Sequence, residues 1–110
     1  MIETLHLKKP LNTLSGGVVT DLKFDFEALT PIDYRNIIRL ETKLKGAAPL
    51  DGSDFSIIKA TSAEFRIATA WIAAVNCAEN GICFDDYERL CLSDFLQLEQ
   101  IGLFFITDVE

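Results

Sequence analysis

Ser15-Gly16-Gly17-Val18-Val19-Thr20-Asp21-Leu22-Lys23-Phe24-Asp25-Phe26 opens on a glycine pair and then alternates. Leu22, Phe24 and Phe26 fall on one side, and Asp21, Lys23 and Asp25 on the other. A period of two marks a strand with one buried face. The residues upstream repeat the pattern, with Leu5 and Leu7 on one face and Thr4, His6 and Lys8 on the other, and Pro10 is expected to end that run. Two such runs around Ser15-Gly16-Gly17, whose glycines tolerate positive φ, predict a β-hairpin over residues 1–27. A lone hairpin is marginal in water, so its apolar face must rest on the remainder of the chain.

The segment after the hairpin reads as helical. Thr30-Pro31-Ile32-Asp33 combines an N-cap, a proline whose missing N–H costs nothing in the first turn, and an acid at the positive end of the helix dipole. Tyr34, Ile37, Ile38, Leu40 and Leu44 then recur at helical spacing, Glu41 and Lys45 form an i,i+4 pair, and Gly46 supplies a stop, giving a helix over 30–46. Residues 47–61 are rich in Gly, Pro and Ser and are expected to form a connector, with a short ordered stretch at Phe55–Lys59. The remainder, 62–110, is expected to be helical. Ser62 can cap a helix over Ala63–Glu79 that Asn80-Gly81 closes, Asp85–Leu90 reads as a short helical turn, and Ser93-Asp94-Phe95-Leu96 begins a final helix with Phe95, Leu98, Ile101 and Phe105 near one face. The expected fold is therefore α+β, an N-terminal β-hairpin packed on a small bundle of about three to four α-helices, forming one domain over 1–110.

The helix from Ala63 carries two apolar stripes: Ile67, Ala70, Trp71, Ala74 and Cys77, and then Phe65, Ala68, Ile72 and Val75. A helix apolar over most of its circumference belongs in the centre of a fold. With few elements to cover it, part of the second stripe is the alternative candidate for a partner surface. The ending Leu103-Phe104-Phe105-Ile106 poses the same choice between docking into the core and forming a sticky patch.

Of the 110 residues, 49% are hydrophobic, and the net charge is −7. Residues 1–60 hold eight basic and eight acidic side chains, whereas residues 61–110 hold two basic and nine acidic ones, so the whole imbalance lies in the second half. Such a surface repels phosphate backbones, which argues against nucleic acid and favours a basic or amphipathic protein partner, or else serves solubility alone. No apolar run approaches the roughly 20 residues of a membrane span. Met1-Ile2-Glu3-Thr4 lacks the basic and apolar regions of a signal peptide, so a cytoplasmic protein is expected.

The chemistry-bearing residues do not assemble into a catalytic pattern. Cys77, Cys83 and Cys91 have no CxxC spacing, and the only histidine, His6, is remote in sequence, so the thiols read mainly as small buried hydrophobes. Asp85, Asp86 and Glu88 lie within four residues and read as a solvated helix start. Gly16-Gly17 precedes a strand, so no helix N-terminus stands ready for a phosphate. No enzyme activity, cofactor or metal is expected.

The order of the pieces carries a resemblance. Leu5-His6-Leu7-Lys8-Lys9-Pro10-Leu11, the Gly-Gly turn into Val18-Val19-Thr20-Asp21-Leu22, and Leu29-Thr30-Pro31-Ile32-Asp33-Tyr34 opening a helix are joined by the Ala-rich helix from Phe65 to Ala74. Asp86-Tyr87-Glu88-Arg89-Leu90 and Leu92-Ser93-Asp94-Phe95-Leu96 then lead into the last helix. Together they resemble the tail assembly chaperones of Mu-like and related contractile-tailed phages. The connector and the three cysteines are not part of that pattern. The resemblance implies a non-enzymatic protein of the bacterial cytoplasm that binds the long helical tape measure protein, keeps it soluble, helps recruit tail tube subunits, and is absent from the finished virion. A partner surface made of Phe65, Ile72, Val75, Phe104, Phe105 and Ile106, rimmed by the acidic second half, is the expectation, along with self-association along the rod. The alternatives are a small tail-completion or adaptor protein retained in the virion, and a cytosolic regulatory module.

Overall fold

The computed structural model describes residues 3–45 and 62–108. The expected stop at Gly46, the connector over 47–61 and its stretch at Phe55–Lys59 lie outside the described residues. Strands β1 (Glu3–Asn12) and β2 (Val18–Phe24) form the antiparallel hairpin, and Leu22 and Phe24 are fully buried beneath it. The turn closes as its composition requires: Gly16 takes φ +97°, the Thr13 N–H donates to the Gly17 carbonyl at 2.9 Å, and the Gly17 N–H donates back to Thr13 Oγ1 at 2.9 Å. Pro10 does not end β1. The strand runs on to Asn12 through an irregularity, because His6 faces Asp21 while Leu11 already faces Val19. Residues 7–10 bulge out of the ladder there, and a proline without an N–H is tolerated where no ladder bond is needed.

Three buried polar side chains from the C-terminal half hold the hairpin's main chain. Asp94, 1% exposed, accepts the Lys8 N–H on Oδ1 (3.0 Å) and the Lys9 N–H on Oδ2 (3.2 Å), satisfying the donors that the bulge releases. Burial pushes its carboxyl upward, but the Lys8 N–H, the Cys91 thiol (3.1 Å), the Lys9 N–H and the Lys8 charge outweigh it and hold the group below its ordinary value. Asp86 accepts the Leu14 N–H at 2.9 Å and the Cys83 N–H at 2.7 Å. The expectation of a solvated acidic helix start is therefore corrected at Asp86, which is fully buried, while Asp85 and Glu88 remain exposed. Asn80 takes the place of a third strand beside β2. Its Oδ1 accepts the Lys23 N–H (3.0 Å), and its Nδ2 donates to the Lys23 and Ala74 carbonyls (2.8 Å each).

Among the described residues, three α-helices complete the fold: α1 (Pro31–Leu44), α2 (Ala63–Val75) and α3 (Leu92–Asp108), with 3-10 turns at Phe26–Ala28, Ala78–Asn80 and Phe84–Arg89. Helix α2 is central, touching α1, α3 and β2, and its residues from Ile67 to Ala74 are all buried. Both stripes thus enter the core over that span. Trp71 anchors the middle and donates its indole N–H to the Phe84 carbonyl at 2.8 Å. The helix stops at Val75, short of the expected Glu79, because Asn80 folds back to bond the Ala74 carbonyl and Gly81 then turns the chain at φ +64°. Glu41 is buried between the Lys45 ammonium (3.2 Å) and the Ser62 hydroxyl (3.1 Å), tying the end of α1 to the start of α2. Helix α3 crosses α2 at Gly102, where an added Cβ would collide with the carbonyl of Arg66.

These contacts set two expected outcomes. Gly102→Ala gains helix propensity of about 1 kcal/mol, yet it forces two backbones apart and is expected to lower stability by roughly 1–3 kcal/mol in urea unfolding. Because the folded Asp94 carboxyl titrates below its unfolded value of about 3.9, its contribution is complete above about pH 4 and is lost as pH falls through the folded value. Asp94→Asn is expected to cost roughly 1–3 kcal/mol at pH 7 and to flatten the acid limb of the stability profile, measured by urea unfolding at successive pH values.

Candidate partner-binding groove

A groove of about 270 Å³ opens where the three helices meet. Leu29, Tyr34 and Ile37 line it from α1 and the residue stretch before it, Phe65 and Thr69 from the first turns of α2, and Phe105 and Ile106 from the end of α3, with Thr30 at the lip. The wall is apolar in composition, and several of the polar groups along it are already engaged. The Thr69 hydroxyl donates to the Phe65 carbonyl at 2.8 Å. Thr30 gives both its N–H (2.8 Å) and its hydroxyl (3.0 Å) to Asp33 Oδ2, and its carbonyl accepts the Tyr34 N–H at 3.1 Å. The Leu29 N–H donates to the Phe26 carbonyl at 3.2 Å. Burial raises the Asp33 carboxyl, but hydrogen bonds from Asn76 and from both Thr30 donors outweigh it, leaving the group below its ordinary value. Such a lining offers an occupant side-chain contact and little main-chain pairing.

The six residues expected to form a partner surface divide four ways. Phe65, Phe105 and Ile106 converge on the groove. Phe105 also stacks on Phe26, with ring centroids 4.3 Å apart and planes 10° from parallel, so it fixes the groove's end as well as lining it. Ile72 is corrected: at 2% exposure it belongs to the core, because α2 is covered by α1, α3 and the hairpin at once. Val75 is half-buried against the core and does not line the groove. Phe104 is 76% exposed, but at 100° per residue it points roughly 160° away from Ile106 around α3. The apolar ending therefore neither docks whole nor forms one patch.

Leu29, Tyr34 and Ile37 were not anticipated as groove residues. Tyr34 and Ile37 sit among the apolar positions of α1, and periodicity assigns such positions to a core without showing where the core has an opening. Elsewhere, Leu14, Val18, Leu92 and Leu96 are exposed apolar side chains at the hairpin tip and the start of α3. Cys77 is buried, as a small hydrophobe would be, whereas Cys83 is exposed and Cys91 half-buried. His6 pairs with Asp21 at 2.7 Å on the hairpin surface. Among the described residues, no group of three or more His, Cys, Asp or Glu is placed to hold a metal ion, and no helix is long and apolar enough to cross a membrane.

No protein-family model, curated protein or solved structure matches the chain.

Phe104 and Phe105, adjacent in sequence, should separate cleanly in stability. Phe104→Ser is expected to change unfolding free energy by no more than about 0.5 kcal/mol, while Phe105→Ala should cost roughly 2–4 kcal/mol through the lost ring stack and the cavity left behind. Urea denaturation of the two variants in parallel measures the difference.

Proposed function

We propose that this protein is a tail assembly chaperone of a contractile-tailed phage, a non-enzymatic protein that binds the tape measure protein in the host cytoplasm, keeps it soluble and helps bring tube subunits to it. The apolar groove between the three helices is the observation that carries the reading. A helical rod bearing apolar stripes aggregates until it is enclosed, and a small protein that covers part of a stripe with a greasy cleft lowers that tendency. The ordering of motifs that resembles this family supports the same assignment, and so does the charge. With a net −7, each bound copy adds repulsion between coated rods and opposes their co-aggregation. A reversible chaperone is also served by a shallow site of few side chains, since a large interface would not release.

The test is co-expression with the neighbouring tape measure protein. That protein should be recovered soluble only when this chain is present. Ile106→Asp, which places a charge in the groove, should abolish its capture, while Phe104→Asp on the far side of α3 should leave capture intact, with circular dichroism confirming that both variants fold. Capture that survives Ile106→Asp places the surface elsewhere, and a tape measure protein that stays insoluble in every case defeats the assignment. The chaperone reading further expects this chain to be missing from purified particles; finding it there identifies a retained tail component.

A further inference from the structure

We infer that residues 3–7 of β1 are a pairing edge for a second copy of this chain, taken antiparallel about a two-fold axis at Leu5. Two hairpins then join into one four-stranded sheet, and this stands apart from the chaperone reading. The direction of the main-chain groups decides which edge is open. The Lys23 N–H donates to Asn80 Oδ1 and the Lys23 carbonyl accepts from Asn80 Nδ2, so both point away from β1. In an antiparallel pair, a residue whose main chain faces outward stands opposite one that does the same, and the pattern alternates along the strands. Thr4 faces Lys23 and His6 faces Asp21, so the N–H and C=O of Thr4 and His6 point out of the hairpin on its other side. The Lys8 N–H, two residues on, is outward as well, and there Asp94 takes it up. Among the described residues nothing takes up the outward groups of Thr4 and His6, and both residues are exposed.

The hairpin is protected elsewhere. Asn80 covers β2 at Lys23, and just past the strand the Asp25 N–H donates to the Ala73 carbonyl. The second half of β1 carries Lys8, Lys9, Pro10 and the bulge, devices that keep an edge from pairing. Residues 3–7 carry none of them. Such an edge accepts an extended chain, because only a strand supplies donors and acceptors at the matching spacing. That the strand is a second β1 follows from its own sequence. With Leu5 on the axis, Thr4 and His6 of one copy exchange N–H···O bonds with His6 and Thr4 of the other, and the two Leu5 side chains meet at the close, non-hydrogen-bonded position. Leu5 lies opposite buried Leu22, so the apolar row beneath one hairpin continues into the next. Antiparallel order also sets Glu3 of each copy towards the basic Lys8-Lys9 end of the other, whereas parallel order would set like charges together. Lys8 already acts on Asp94, but Glu3 and Lys9 are exposed and neither is held in an ion pair among the described residues. Charge favours the location too. The two strands hold Lys8, Lys9 and Lys23 against Glu3 and Asp21, so copies that are each at −7 meet through a part that is not acidic.

Sedimentation of the full chain at successive concentrations should show a monomer–dimer equilibrium. Amide hydrogen exchange read by NMR should show Thr4 and His6 exchanging freely in dilute solution and gaining protection as the dimer forms, with Leu5 protected throughout by its pairing with Leu22. Thr4→Pro removes an outward N–H and no ladder bond, so the hairpin should keep its circular dichroism while dimerisation weakens roughly tenfold or more. Glu3→Lys and Lys9→Glu should each weaken self-association, and an equimolar mixture of the two should restore it, since the mixed pair sets opposite charges together at both ends. A chain that stays monomeric up to about 1 mM overturns the inference. So does a dimer whose Thr4 and His6 amides remain unprotected, or one indifferent to Thr4→Pro. If the mixed charge variants associate no better than either alone, the antiparallel order about Leu5 is wrong. Should Thr4→Pro fail to fold, exchange on the unaltered chain still decides.

Discussion

Side-chain oxygen from the C-terminal half, delivered to the main chain of the hairpin, is the constraint on which the rest of the structure depends. A two-stranded sheet has two open edges and a single face to bury, and neither is stable alone. Here Asp94 satisfies the two amides released by the bulge at Lys8 and Lys9, Asp86 satisfies Leu14 at the turn, and Asn80 completes the bonding of Lys23 at the far edge. Each contact joins residues more than fifty positions apart, so long-range bonds tie the hairpin to the helical half. The buried carboxylates are also the most expensive groups in the fold to leave unpaired, which makes their geometry specific.

With the hairpin pinned, α2 is enclosed. The hairpin covers it on one side, α1 and α3 on the others, and the alanines at 68, 70, 73 and 74 let those neighbours approach closely. The close crossing at Gly102 draws α3 against α2 beside Arg66. Beyond that crossing α3 continues to Phe105 and Ile106, and the space between its end, the beginning of α2 and the beginning of α1 is not filled by any described side chain. The groove lies where the end of α3 meets the beginnings of α1 and α2. Phe105, which lines it, is itself stacked on Phe26.

The fold class was legible in the sequence because its signals are local. Alternation around Gly16-Gly17 and the start signal at Thr30-Pro31 depend on backbone geometry within a few residues, and both elements stand where those signals put them. The exit of α2 was not legible, since its last turns compete with a tertiary bond from Asn80 to the Ala74 carbonyl that no local pattern encodes. The same holds for Pro10, a strand-breaker that the bulge accommodates once Asp94 takes up the neighbouring amides. Of the anticipated partner surface, Phe65, Phe105 and Ile106 share a groove, while Ile72 lies in the core and Phe104 on another face. Periodicity reports that a residue is apolar and which way it faces on its own helix, and both stripes of α2 satisfied that description equally.

By itself, then, the chain's order of residues determined that a hairpin precedes helices, that α2 is apolar over most of its circumference, and that the second half carries the negative charge; these come from spacing, from turn chemistry and from counting. Only the tertiary structure decided which acids are buried, which hydrophobes are left over, and where they meet. Those outcomes depend on where elements distant in sequence converge, and Asp86 beside exposed Asp85, or Phe105 beside exposed Phe104, shows how one residue step around a turn reverses the environment.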